Sequence, residues 1–189
     1  MHIEMKELVD GNPEVLAGAI NGRNVFTKLI QKSADEPSTP QPLFLDFNGV
    51  EVATTSFLRE TVLAFRDTVR RHRSNLYPVI ANAGPLVEEE LKVLVASHKD
   101  VLMLCVLDQD GHPHHPQILG DLDPKQKFTF DLVQQRGLTD ATQLWRDNGP
   151  NETVKTAWNN RLAALANLGL VVELSEGRTK RYRPLFAES

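Results

Sequence analysis

Residues 158–185 read WNNRLAALANLGLVVELSEGRTKRYRPL, and the apolar period changes in the middle of this stretch. Val154, Trp158, Leu162, Leu165 and Leu168 recur at intervals of three and four, the spacing of one apolar helix face, and Gly169 stops the pattern. Beyond Gly169 the period falls to two. Leu170, Val172 and Leu174 lie on one side of an extended strand, Glu176-Gly177 is placed to turn the chain, and Tyr182 returns to the apolar side. A helix followed by a hairpin is expected. Four of the six residues from Arg178 to Arg183 are cationic, so the basic cluster belongs to a folded hairpin rather than to a loose tail.

Two shorter helical patterns precede it. PKQKFTFDLVQQRG (124–137) opens with Pro124 and closes with Gly137, with Phe128, Leu132 and Val133 available to a core. LTDATQLWRDNG (138–149) places Thr139 as an N-cap and Ala141, Leu144 and Trp145 inward, and Asn148-Gly149-Pro150 ends it.

Three helices followed by a basic hairpin resemble a winged helix-turn-helix domain spanning 124–189, closest over residues 158–185 with their Leu-Gly-Leu-Val exit and basic wing. The resemblance implies that the third helix reads DNA. With Val154, Trp158, Leu162 and Leu165 inward, that helix presents Thr153, Lys155, Thr156, Asn159 and Asn160. Asn matches the paired donor and acceptor of adenine, and Lys meets a guanine edge or a phosphate. On the wing, Arg178, Lys180, Arg181 and Arg183 suit backbone or minor-groove contact. The duller readings are a solvated helix surface for the asparagines and an intradomain ion pair for Arg161. A winged helix can also serve protein binding alone.

Charge is divided along the chain. Residues 1–122 hold 11 Lys+Arg against 17 Asp+Glu, and residues 123–189 hold 10 against 8, which is −6 and +2 within the total of −4. Such asymmetry accords with one segment that meets a polyanion and another that does not. At 189 residues, 41% hydrophobic and 24% charged, the chain can bury one medium core or two small ones. Its single Cys105 lies in the apolar run VLMLCVL, where it reads as a buried hydrophobe; a reducing cytoplasmic location is expected. No apolar run approaches the ~18 residues of a membrane span, and the opening residues have no signal-peptide core.

The first segment alternates strand and helix. A strand is expected at HIEMKEL, and a helix-compatible stretch runs from Pro13 to Gln31, interrupted by Gly18 and Gly22. SADEPSTPQP is an exposed loop and LFLDF a strand buried on both faces. From Thr55 to Arg73 an apolar face of Phe57, Leu58, Val62, Phe65 and Val69 opposes Arg59, Arg66, Arg70, Arg71 and Arg73. The strand YPVIANA, the helix PLVEEELKVLVASH and the strand VLMLCVL complete an α/β layer.

The stretch LDFNGVEVATTSFLRE (45–60) resembles the signature of STAS-like domains, related to sulfate transporter and anti-sigma antagonist domains. A buried strand ends in Asp46, then Asn48-Gly49-Val50 turns, Val52-Ala53 follows, and Thr54, Thr55 and Ser56 lead into a helix. The resemblance extends over residues 1–120 in element order. It implies an α/β N-terminal STAS-like domain, and in the antagonist branch the hydroxyl that is phosphorylated falls on Thr55. Thr54 stands where that branch commonly has Asp, and bulky Phe57 where it has Gly. The alternative is that Thr54, Thr55 or Ser56 serves only as the helix cap, worth about 1 kcal/mol.

DQDGHPHHPQIL (108–119) sets His112, His114 and His115 beside Asp108 and Asp110, but matches no CxxC or HExxH spacing; it reads as a solvated turn, and no metal or other cofactor is expected. The whole chain reads as a non-enzymatic DNA-binding transcriptional regulator: an α/β STAS-like domain (1–120) for sensing or dimerisation, and a mainly α winged helix-turn-helix domain (124–189). Its expected partners are double-stranded DNA, a second copy in a homodimer, and a regulatory protein met through the STAS-like domain. The competing reading is a switching adaptor of the anti-sigma antagonist type in which both domains bind protein. A third is a small-ligand pocket in the STAS-like domain that the winged helix reads out.

Overall fold

The computed structural model of the chain describes residues 1–72, 74–148, 154–177 and 179–186, with the backbone alone at Glu176. Contacts divide the chain into two compact units, Met1–Asp121 and Leu122–Ser189. No helix among the described residues is long and apolar enough to cross a membrane.

The first unit is an α/β layer on a mixed sheet. Strands β1 (His2–Glu4), β3 (Gln41–Asp46), β5 (Leu76–Ala81), β6 (Leu102–Leu107) and β7 (Pro113–Leu119) lie in the order β1-β3-β5-β6-β7. The first four pair in parallel and β7 closes the edge antiparallel. A second, two-residue parallel pair joins β2 (Val15–Leu16) to β4 (Val52–Ala53). The helices are α1 (Ala19–Lys32), α2 (Thr55–Leu58), α3 (Ala64–Arg71) and α4 (Pro85–His98). Leu43, Leu45, Leu76, Ile80, Leu102 and Leu104 point from alternate strand positions into the same cluster as Val25, Leu29, Phe57, Leu58, Phe65, Leu91 and Leu94 of the helices. The other sheet face is also buried at Phe44, Tyr77, Val79, Met103 and Cys105, which is why these strands read as nearly unbroken apolar runs.

Several local expectations change. HIEMKEL is strand only to Glu4; Met5–Leu8 is a 3₁₀ turn that buries Met5 and Leu8. The stretch from Pro13 splits because Gly18, at φ +86°, redirects the chain between β2 and α1. Gly22 remains inside α1 because nothing larger fits: a Cβ there would stand 2.8 Å from the Phe57 carbonyl oxygen and 2.9 Å from Glu60 Cβ. Between α2 and α3 the helix widens into a π turn over Arg59–Leu63, which rotates every position beyond it. The supposed solvent face is therefore partly interior. Arg66 and Arg70 are 3% and 4% exposed, whereas Arg59 and Arg71 are exposed; Arg73 lies outside the described residues. Arg66 forms a fork with Asp100 at 2.9 and 2.6 Å, and Arg70 donates to the Ser74 carbonyl at 2.6 Å while lying 3.7 Å over the Tyr77 ring. The histidine-rich stretch taken for a turn is a turn only to its middle; residues from Pro113 onward form β7, an edge strand, where proline is tolerated.

The second unit contains α5 (Pro124–Arg136), α6 (Ala141–Asp147), α7 (Lys155–Asn167), β8 (Val171–Glu176) and β9 (Thr179–Pro184). Its core gathers Val133, Ala141, Leu144, Trp158, Leu162, Leu165, Val171, Val172 and Tyr182. Thr139 is not the cap of α6. Asp140 caps it, closing a capping box with Gln143, while buried Thr139 exchanges two backbone hydrogen bonds with Tyr182 at 2.9 and 2.8 Å. Thr139 thereby adds a one-residue third strand to the hairpin. Val154, expected inward, is 72% exposed because it stands before the first turn of α7; Phe128 and Trp145 are only partly covered, at 42% and 38% exposed. Glu176 pairs with Thr179 and so belongs to the strand rather than to the turn. Gly149 and Pro150 lie outside the described residues.

Candidate nucleic-acid interface and the Thr55 region

Helix α7 is anchored by its inner face. Trp158, Leu162 and Leu165 are fully buried, and the Phe128 ring meets Trp158 at a centroid distance of 6.2 Å. Fixing that face leaves Lys155, Thr156, Asn159 and Asn160 exposed together along the first turns. Thr153 lies outside the described residues. Arg161 folds back, its guanidinium 5.0 Å from the Trp158 ring, and so belongs more to the support of the helix than to its outer face.

The hairpin reaches the same region from another part of the chain. Asp140, Ala141 and Thr142 at the start of α6, Lys155 and Asn159 of α7, and Thr179 and Lys180 of β9 line one cleft of about 260 Å³. Lys155, Asn159 and Lys180 are thus brought together from two elements. The Asp140 carboxylate in the cleft accepts the Thr142 and Gln143 backbone N–H groups at 2.7 and 2.9 Å.

The wing cations differ in their surroundings. Lys180 Nζ lies 2.8 Å from Glu173 Oε1, and the Tyr182 hydroxyl donates to Glu173 Oε2 at 3.2 Å. One carboxylate on β8 therefore spans two residues of β9. Arg181 and Arg183 lie across from Leu174 and Val172 and are half-buried, and Arg183 Nη1 donates to the Pro184 carbonyl at 3.0 Å. Arg178 lies outside the described residues. Sequence reasoning passed over Glu173. The signal was its place on the facing strand, where a diagonal cross-strand pair with Lys180 follows once the register is known.

At the other candidate position, the three hydroxyls have separate tasks. Thr54 Oγ1 caps α2 by accepting the Phe57 N–H at 3.4 Å, and it also accepts the Gly18 N–H at 3.2 Å. Thr55 faces α4 instead: its backbone N–H donates to Glu90 Oε2 at 2.9 Å, and its hydroxyl donates to the same oxygen. Ser56 Oγ lies 3.2 Å from Thr54 Oγ1. A phosphate on Thr55 would share its site with the Glu90 carboxylate, a like-charge contact.

No protein-family model matches the chain, and no curated protein or solved structure matches it.

Proposed function

We propose that the protein is a DNA-binding transcriptional regulator whose Leu122–Ser189 unit is a winged helix-turn-helix and whose Met1–Asp121 unit, STAS-like in its element order, senses a signal or holds two copies together. The observation that carries this reading is the convergence of Lys155, Asn159 and Lys180 on one cleft between the exposed face of α7 and the hairpin. The order α5, Thr139 strand, α6, α7, β8, β9 supports it further, since a helix held by a buried tryptophan and flanked by a basic hairpin suits a major groove with the wing beside it. A homodimer would place two such helices on two half-sites.

Duplex binding by fluorescence anisotropy, first against a genomic fragment library and then against a recovered site, tests the reading. If Lys155, Lys180, Arg181 and Arg183 each neutralise a phosphate, log K should fall with log salt at a slope of about −3.6, because each contact contributes about −0.9. Arg181→Ala with Arg183→Ala should then reduce the slope to about −1.8. Absence of duplex binding, or binding that ignores salt, would reject the proposal.

A further inference from the structure

The turn between β6 and β7 gathers two carboxylates and two imidazoles. Asp108 Oδ1 accepts the backbone N–H groups of Asp110 and His112 at 2.9 and 2.8 Å, which by itself completes the turn. Asp108 Oδ2 is left toward the histidines, with His114 Nε2 at 3.0 Å and His112 Nδ1 at 3.5 Å. Asp110 adds a further carboxylate: one ligand atom from each of Asp108, Asp110 and His112 lies within 4.8 Å of the other two. Forming the hairpin does not require this convergence. The His112 and His114 side chains are 73% and 53% exposed and have open solvent to turn into.

The donor set selects the ligand class. Tetrahedral zinc ligands stand about 2.0–2.1 Å from the ion and therefore about 3.4 Å from one another, so modest rotations of exposed side chains close the site. Two imidazole nitrogens with two carboxylate oxygens suit a borderline ion such as Zn²⁺, whereas Mg²⁺ and Ca²⁺ favour all-oxygen shells. His112 stands just before β7 and His114 is its second residue, and these are the two that meet Asp108 Oδ2; His115, at φ +50° beside the register shift in the β6–β7 pairing, departs from the regular strand.

We propose that Asp108, Asp110, His112 and His114 form a binding site for a divalent transition-metal ion of the zinc class, which clips the start of β7 to the end of β6. The sequence matched no metal motif because these donors are assembled by the turn between β6 and β7 and the first residues of β7 rather than by a helical or knuckle spacing. The site stands apart from the DNA-binding proposal and does not depend on it.

The test is competition of Zn²⁺ between the full chain and a chromophoric chelator, with far-UV circular dichroism as the folding control. One equivalent should bind the wild type, and His112→Ala with His114→Ala should weaken binding about 100-fold or more, since both lost groups are direct ligands. His115→Ala should bind as the wild type does. Saturating Zn²⁺ should raise the urea midpoint of the wild type and leave that of the double variant unmoved. Equal Zn²⁺ affinity in wild type and double variant, an equal loss in His115→Ala, or displacement of Zn²⁺ by millimolar Mg²⁺ would each overturn the site.

Discussion

Asp100→Asn should destabilise the protein by about 3 kcal/mol, far more than its place at a helix-to-strand connection suggests. The Arg66 side chain is 4% exposed and that of Asp100 17%, so neither can regain full hydration when its partner is lost. Arg66 makes two parallel bonds to Asp100, at 2.9 and 2.6 Å, and a third from Nη1 to the Val101 carbonyl at 2.8 Å. Burial works against the guanidinium's charge, but the hydrogen bonds and charges of Asp100 and Asp67 outweigh it and hold its pKa above the ordinary value. Breaking a buried pair costs about 3–5 kcal/mol. Asp67, bonded to Arg66 Nε at 2.9 Å but with its side chain half exposed, returns no more than about 1 kcal/mol, which sets the expectation near the lower end. Arg66→Met should cost a similar amount, and the double variant should show a coupling of about 2 kcal/mol. Urea unfolding followed by far-UV circular dichroism, at low and at high salt, measures all four corners of the cycle. Losses under about 1 kcal/mol that vanish in high salt would mean that the pair is an ordinary surface bridge, and would refute the reasoning.

Other expectations follow from single contacts. Gly22→Ala, which gains about 1 kcal/mol at a typical helix position, should here cost about 1–3 kcal/mol because its Cβ meets the Phe57 carbonyl at 2.8 Å; an increase in the urea midpoint would contradict that contact. Thr55→Val should cost about 1–2 kcal/mol through the lost hydroxyl bond to Glu90. Thr55→Asp should cost more, and Glu90→Gln should relieve the excess; a relief-free double variant would show that the two carboxylates do not meet. Should Thr55→Asp leave both partner binding and DNA affinity unchanged, no switch operates through this residue. Burial, and after it the charge of Asp46, pushes the Cys105 thiol up to about 12. An unfolded thiol ionises near 8.5, so the unfolded state binds fewer protons above that pH, and stability should fall as pH rises from about 8.5 toward 12. Iodoacetamide at pH 8 should accordingly label Cys105 at least about tenfold faster in urea than in buffer, and comparable rates would rule out the buried thiol.

Much of the second unit was legible because its signals are local. The helical spacing of Trp158, Leu162 and Leu165 places exposed Asn159 and Asn160 without reference to any distant residue. The break at Gly169 and the alternation beyond it mark the hairpin. Glu176 pairs with Thr179 instead of turning the chain, so Glu173 meets Lys180 diagonally rather than directly, and Tyr182, expected on the side of Leu170, Val172 and Leu174, lies across from Glu173, since turn position fixes every cross-strand neighbour. At the first unit's helix, a rule that charged residues face water failed at Arg66 and Arg70. The π turn rotates them inward, and Asp100, 34 residues further along the chain, makes the burial tolerable. Strand β7 was hidden by its prolines and histidines, which suit an edge strand with one bonded side but lack the apolar alternation of an interior one.

By itself the sequence determined the kind and order of most of the longer elements, from α1 through the hairpin, though not of β7. It also placed the acidic-to-basic change near the division between the units and set the polar residues on the outer side of α7. These depend on periodicity and composition, which act between near neighbours. Only the tertiary structure decided which distant groups share a place: Thr55 with Glu90, Arg66 with Asp100, Lys155 and Asn159 with Lys180. Side-chain chemistry reaches a few ångströms, and the chain brings such groups within that distance only after strands and helices have packed.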